Sequence, residues 1–220
     1  MRVNADFSQR VVSTDSIDQW VHSPESGVDR RMLDRIGNEV ARATSIVKYA
    51  PGSSFSEHHH AEGEEFLVLD GVFSDEHGSY PCGTYVRNPP GSGHSPFSDD
   101  GCRILVKLRQ FDAEDLRPVV TDTTTNCDWQ SDDRTGGEEK ALHTFGPERV
   151  SMLRLNPGQE IDIHVGDGGL EWLLVAGLLR LENQDYPAES WFRFPVGDKL
   201  RMRAVESCVV WQKTGHLPSV

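Results

Sequence analysis

Basic residues are in short supply: 22 Lys and Arg stand against 35 Asp and Glu, a formal net charge of −13. A surface of that sign repels phosphate, which argues against nucleic acid as a partner, because clustered Lys and Arg are needed to hold its backbone. Long apolar runs are missing too. Nothing approaches the roughly 20 residues a membrane helix requires, and a hydrophobic content of 36% with a mean hydropathy of −0.51 is ordinary for a soluble chain, so no membrane role is expected. The opening Met1-Arg2-Val3-Asn4-Ala5-Asp6 leads into polar sequence rather than an apolar leader. Only four cysteines occur, Cys82, Cys102, Cys127 and Cys208, and none forms a CxxC pair. Together these absences predict a reduced, cytoplasmic protein. Cys82 reads as a buried, inert thiol.

What is present is a pattern of metal-ligand residues. Gly52 is followed after five residues by His58, then after one by His60, after three by Glu64 and after six by Gly71. A second half runs Gly83, five residues, Pro89-Pro90-Gly91, two residues, His94. On a strand the side chains alternate faces, so His58 and His60 point one way while Glu57, His59 and Ala61 point the other. Glu64 follows a short Ala61-Glu62-Gly63 link and opens the apolar run Phe66 to Leu69. His94 is delivered by a stretch whose prolines and glycines fix a sharp approach. The tripeptide His58-His59-His60 alone would read as a solvated loop; Glu64 and His94 at fitting spacings change that. Glu62 and Glu65 are alternatives to Glu64, expected to face solvent or the far side of the strand. His77 reads as a turn residue. Three neutral imidazoles and a carboxylate suit one divalent transition metal, zinc, iron, nickel or manganese, rather than calcium or magnesium with their all-oxygen shells.

The 220 residues have room for one large or two small domains, and self-comparison decides for two. A shift of 106 positions superposes Pro51-Gly52 on Pro157-Gly158, His58 on His164, Gly71 on Gly177, Tyr80-Pro81 on Tyr186-Pro187, Arg87 on Arg193 and Lys107 on Lys213, without a gap. Further upstream a shift of 109 pairs Trp20 with Trp129, Leu33 with Leu142 and Gly37 with Gly146. Short apolar or alternating segments bounded by Gly, Pro, Asp and Asn read as strands throughout. Many short strands in about a hundred residues suggest a sandwich or jelly roll, with few helices. Phe66-Leu67-Val68-Leu69 is apolar at every position, so both faces of that strand should be covered.

Under the same shift the ligands vanish. His60 falls on Gly166, Glu64 on Leu170 and His94 on Leu200. His164 alone cannot hold a divalent ion, so the second copy is expected to be metal-free.

The stretch Gly63 to Gly78, followed by Tyr80-Pro81-Cys82-Gly83-Thr84-Tyr85-Val86-Arg87-Asn88-Pro89-Pro90-Gly91 and then Gly101-Cys102 with Val106-Lys107-Leu108, resembles the cupin domain of ChrR-type anti-sigma factors. The likeness covers roughly residues 15 to 112, and the second copy through the repeat. It implies an all-β fold of two tandem cupin β-barrels (double-stranded β-helix, jelly roll), a bicupin. Residues 1–115 would be the metal-binding cupin, 116–126 a linker and 127–220 a degenerate cupin. By likeness His58, His60, Glu64 and His94 take the metal-ligand positions, and zinc is the metal implied. In the family that domain answers singlet oxygen and related stress, which implies a regulatory or stress-sensing protein with a sigma factor, another regulatory protein or a small-molecule ligand as partner. The helical anti-sigma module of that family is absent here: no cysteine precedes Cys82 and only His22 precedes His58. The same cupin type also resembles non-haem metal-dependent dioxygenases acting on small dicarbonyl or hydroxyketone substrates. In that alternative Tyr85 and Arg87 would line the pocket, or else serve as structural residues at the barrel rim. A homodimer is compatible with either, although a fused pair already covers the surface that single cupins bury on dimerising.

Overall fold

A computed structural model describes residues 1–15 and 19–218, all of them in strands, turns and loops. The chain divides into two compact units: Met1–Ala5 with Asp18–Thr125, and Asp6–Ile17 with Asn126–Val220. Each is built on one large antiparallel sheet.

In the first unit the main path runs Arg2–Val3, Val28–Gly37, Ala41–Tyr49, Cys102–Leu108, Glu64–Asp75, Thr84–Asn88 and Val119–Asp122. In the second it runs Gln130–Asp132, Gly137–Phe145, Glu148–Leu155, Cys208–Thr214, Leu170–Ala176, Trp191–Phe194 and Val11–Ser13. A smaller sheet accompanies each: His58–His60 with Ser92–His94 in the first unit, and a four-stranded one in the second. Among the described residues none of these sheets closes on itself.

The repeat extends to irregularities. Register slips between Met32 and Asp34 in one unit and between Ala141 and His143 in the other; the extra residues are Leu33 and Leu142, the pair that the shift of 109 superposes. Gly71 and Gly177 adopt φ of 71° and 97°. A Cβ on them would come within 2.1 Å of the Gly101 carbonyl oxygen and 2.2 Å of that of Ser207, so only glycine fits either turn.

The edge strands come from segments that sequence patterns leave plain. Val119–Asp122, inside the polar stretch read as a linker, pairs with Thr84–Asn88. Val11–Ser13 pairs with Trp191–Phe194 in the same way. Both satisfy backbone groups of a strand that would otherwise be an open edge.

Inner faces carry the cores. Val28, Val47, Tyr49, Phe66, Phe73 and Ile104 cluster in the first unit, and Leu153, Trp172, Phe192, Phe194, Leu170 and Leu200 in the second. Each such side chain contributes on the order of 1.5–3 kcal/mol by burial. The opposite faces are buried as well. Leu67 is 2% exposed, and Arg87, Glu65 and Lys107 lie side by side across three strands. Arg87 Nη1 donates to Glu65 Oε2 at 2.8 Å and Nη2 to Asp115 Oδ2 at 2.6 Å. Lys107 Nζ donates to Thr44 Oγ1 at 2.8 Å. The second unit keeps the set as Arg193, Glu171 and Lys213, with Lys213 3.1 Å from Glu148. Charges this deep persist only when paired.

Candidate metal centre

His58–His60 lies antiparallel to Ser92–His94, with His94 opposite His58 and Gly93 opposite His59. Alternation along both strands turns His58, His60 and His94 to one side. Gly93 is required at the crossing, since a Cβ there would sit 2.8 Å from the His58 carbonyl oxygen. Gly63, with φ of 77°, turns the chain from His60 into the strand that begins at Glu64. Its amide closes the turn on the His60 carbonyl at 3.1 Å, and the Phe111 ring fills the space where a Cβ would go.

These turns bring the four residues together. The three imidazole rings form a near-equilateral triangle with centroids 4.8, 5.0 and 4.9 Å apart. One donor atom from each of His58, His60, Glu64 and His94 lies within 4.8 Å of the others. Glu64 Oε2 is 3.4 Å from His60 Nε2 and 3.5 Å from His94 Nε2. Both Nε2 atoms are buried and hydrogen-bond to nothing among the described residues. Two orphaned imidazole nitrogens converging on a buried carboxylate are costly as they stand, and a divalent cation would satisfy all of them.

The surroundings orient those lone pairs. His58 Nδ1 meets the Ser56 carbonyl at 2.8 Å and His94 Nδ1 meets Asp75 Oδ2 at 3.0 Å. As each Nδ1 donates its proton to oxygen, each Nε2 is left as a lone-pair donor toward the cluster. Asp75 is held in turn by the amides of His77 and Gly78 and by the Tyr80 hydroxyl, 3.2 Å away. Burial, reinforced by Asp75, pushes the Tyr80 pKa up to about 12, so its proton stays available to that bond. Asn88 Nδ2 donates to Glu64 Oε2 at 3.0 Å and fixes the carboxylate. Burial pushes the His60 pKa below its ordinary value, which favours the neutral, ligating form.

The four residues open onto a cavity of about 300 Å³. Its walls are mainly apolar, with Val28, Val47, Tyr49, Phe55 and Ile104 among them, and Arg30 and Arg35 at its polar side.

Other candidates fall elsewhere. Glu62 is exposed and pairs with Arg109. Glu65 is 1% exposed and faces away from the cluster, bonded to Tyr85 and Arg87. Tyr85 and Arg87 therefore do not line the cavity: alternation from Asn88, which reaches Glu64, sends them to the opposite face. His77 is exposed; the neighbour that matters is Asp75. Cys82 is exposed, not buried, because it sits in the turn between Gly78–Pro81 and Thr84–Asn88. In the second unit His164 is exposed, and Leu170 and Leu200 are 3% and 1% exposed within the core. Asp75 and Asn88 escaped the sequence reading, since nothing in their spacing marks a carboxylate or amide as supporting a ligand rather than making a turn.

The chain matches the ChrR cupin-like domain family over residues 8–112 and again over 117–218. It belongs to that family. Each half of this bicupin is thus one copy of the domain, and the metal-binding character of the superfamily fits the cluster in the first. No curated protein matches. Among solved structures, a candidate dioxygenase from Nostoc punctiforme PCC 73102 superposes with a TM-score of 0.78 at 14% identity, over 97% of this chain and 85% of that one. The bacterial pirin YhhW of Escherichia coli, solved with nickel(II), gives 0.70 at 14% identity, over 96% and 100%. Salicylate 1,2-dioxygenase from Pseudaminobacter salicylatoxidans gives 0.64 at 12% identity, over 84% and 76%. Likeness at these identities shows a shared fold.

Proposed function

We propose that the bicupin is a non-haem metal-dependent dioxygenase whose single ion is held in the N-terminal copy by His58, His60, Glu64 and His94, and whose substrate is a small dicarbonyl or hydroxyketone. One observation carries this reading: the four donors open onto a cavity instead of being sealed in. A structural metal site is closed on all sides, whereas a catalytic one leaves coordination positions free. The three similar structures named above include two described as dioxygenases, or candidates for it, and one solved with a metal.

A redox-active divalent ion bound there would supply the electronic link that triplet dioxygen and a closed-shell organic substrate lack between themselves. The remaining work falls to the chain. Ser56 and Asp75 hold two imidazoles in their ligating tautomers, Asn88 aims the Glu64 carboxylate, and the apolar wall of Val47, Phe55 and Ile104 keeps water from a bound substrate. The barrel geometry of the family is part of the proposal, with the His58–His60 and Ser92–His94 pair closing one end of the first unit's large sheet.

A sensing role has less behind it. All four candidate donors lie within one copy, next to a cavity, and need no partner protein to complete them. The deciding measurement is the metal content of the purified protein together with oxygen uptake on simple β-diketones. One iron per chain with substrate-dependent uptake is expected; zinc with no uptake under iron reconstitution overturns the proposal.

A further inference from the structure

The repeat offers an internal control on which buried charges serve the fold. Arg87, Glu65 and Lys107 recur in the second copy as Arg193, Glu171 and Lys213 although the metal ligands there are gone. Arg30 and Arg35 behave differently. The shift of 109 places Glu139 at the position of Arg30 and Thr144 at that of Arg35, so both guanidiniums disappear together with the ligands.

Arg35 reaches the cavity through a bulge. Along Val28–Gly37 the pairing runs Val28 to Tyr49, Arg30 to Val47 and Met32 to Ser45, then slips so that Asp34 faces Thr44 and Arg35 faces Ala43. Without the slip Asp34 would stand opposite Ala43, on the inner face with Ser45, Val47 and Tyr49. The extra residue turns the acid outward, where it pairs with Arg42 at 3.3 Å, and turns the base inward. Bulges beside binding sites commonly re-aim a side chain in this way.

The charge so placed hydrogen-bonds to no carboxylate, and the nearby Glu39 charge offsets only part of the cost of its burial. Of the other cations lining the cavity, Arg30 is paired with Glu39 at 3.2 Å and Arg109 with Glu62. Arg35 is 4% exposed. Its Nε donates to the Asn38 carbonyl at 2.9 Å and its Nη2 to the carbonyls of Asn38 and Glu39; Nη1 hydrogen-bonds to nothing among the described residues. Burial, then the Arg30 charge, pulls the Arg35 pKa below its ordinary value. A buried guanidinium bonded only to neutral carbonyls gains from an anion, and Nη1 is the donor left for a carboxylate oxygen.

We infer that the cavity beside the metal ligands takes a small carboxylic acid with an apolar body, the carboxylate meeting Arg35 and the body lying against Val47, Phe55 and Ile104. This rests on the proposed activity for its catalytic meaning, and it narrows the substrate to a carboxylate-bearing member of that class. Arg35 is then the residue that sets specificity.

The test is calorimetric titration of the full chain, both metal-free and nickel-loaded, with benzoate and with benzamide as its neutral counterpart. Benzoate is expected to bind about tenfold or more tightly than benzamide in both forms, the worth of one charge-assisted bond. Arg35→Met should erase that preference, and Arg35→Lys should keep part of it. Arg35 also braces the 38–39 turn, so Arg35→Gln, which retains a donor for the Asn38 carbonyl, is the second variant if Arg35→Met does not fold. Equal affinities in the parent protein overturn the inference. So does a preference for benzoate that appears only with nickel and survives loss of the Arg35 charge, because the carboxylate is then on the metal. Oxygen uptake on neutral β-diketones separates the two proposals: uptake with no acid preference sinks only this one, and an Arg35-dependent preference without uptake sinks only the activity.

Discussion

The imidazole of His94 and the carboxylate of Asp75 meet at 3.0 Å, both almost fully buried. Asp75 ends the strand that Glu64 begins, so one strand supplies a donor at its start and a support for another donor at its end. Such a partner fixes the tautomer and orientation of the ring. Asp75→Asn is expected to weaken metal binding about 10–100-fold while leaving the stoichiometry at one, as read by competition with a chromophoric chelator. Unchanged affinity would show that His94 is oriented without it.

Only one metal per chain is expected. Leu200 occupies the position of His94 and sits in the second core. Leu200→Ala should cost about 2–5 kcal/mol of stability, as buried large-to-small changes do, with no change in metal content. Two ions per parent chain, by elemental analysis, would contradict this.

Arg87 tests the buried charges that the repeat retains. Arg87→Met strands the carboxylates of Glu65 and Asp115, and breaking a buried pair in this manner costs about 3–5 kcal/mol. Because Arg87 faces away from the cavity, metal affinity measured on the folded fraction should stay within about twofold, in keeping with the near-additivity of distant sites. A large loss of affinity would place it in the site after all.

A pH dependence follows from Arg10 and Asp198 in the second unit. Arg10 Nε and Nη2 donate to the two oxygens of Asp198 at 2.9 and 2.7 Å. That hydrogen bonding, against the effect of burial, holds the Asp198 pKa below its ordinary value. A carboxylate depressed in the folded state contributes stability that is fully present above its unfolded pKa of about 3.9. The contribution is lost as pH falls through the folded value. Urea denaturation of Asp198→Asn should therefore show lower stability than the parent at pH 7 and a smaller decline between about pH 5 and pH 3. Parallel profiles would show that the pair contributes nothing.

Sequence patterns alone determined the repeat, the β-rich character and the grouping of His58, His60, Glu64 and His94, because these depend on local rules. Side chains alternate along strands, glycine alone tolerates the turns at Gly63 and Gly71, and a gapless shift of 106 positions requires a duplicated fold. Tertiary structure decided the rest. Asp75, Asn88 and Arg35 acquire their roles from partners distant in the chain or from a single bulged residue, Leu33, that reverses which side chain of Asp34 and Arg35 faces the cavity. Spacing already favours Glu64 over Glu65, but it leaves Tyr85 and Arg87 open between pocket and rim; only the register that pairs Asn88 with Glu64 and Arg87 with Glu65 assigns them to the face away from the pocket. Register is a long-range property, fixed by which strands meet and where the ladder slips, and a one-residue slip moves every following side chain to the other face.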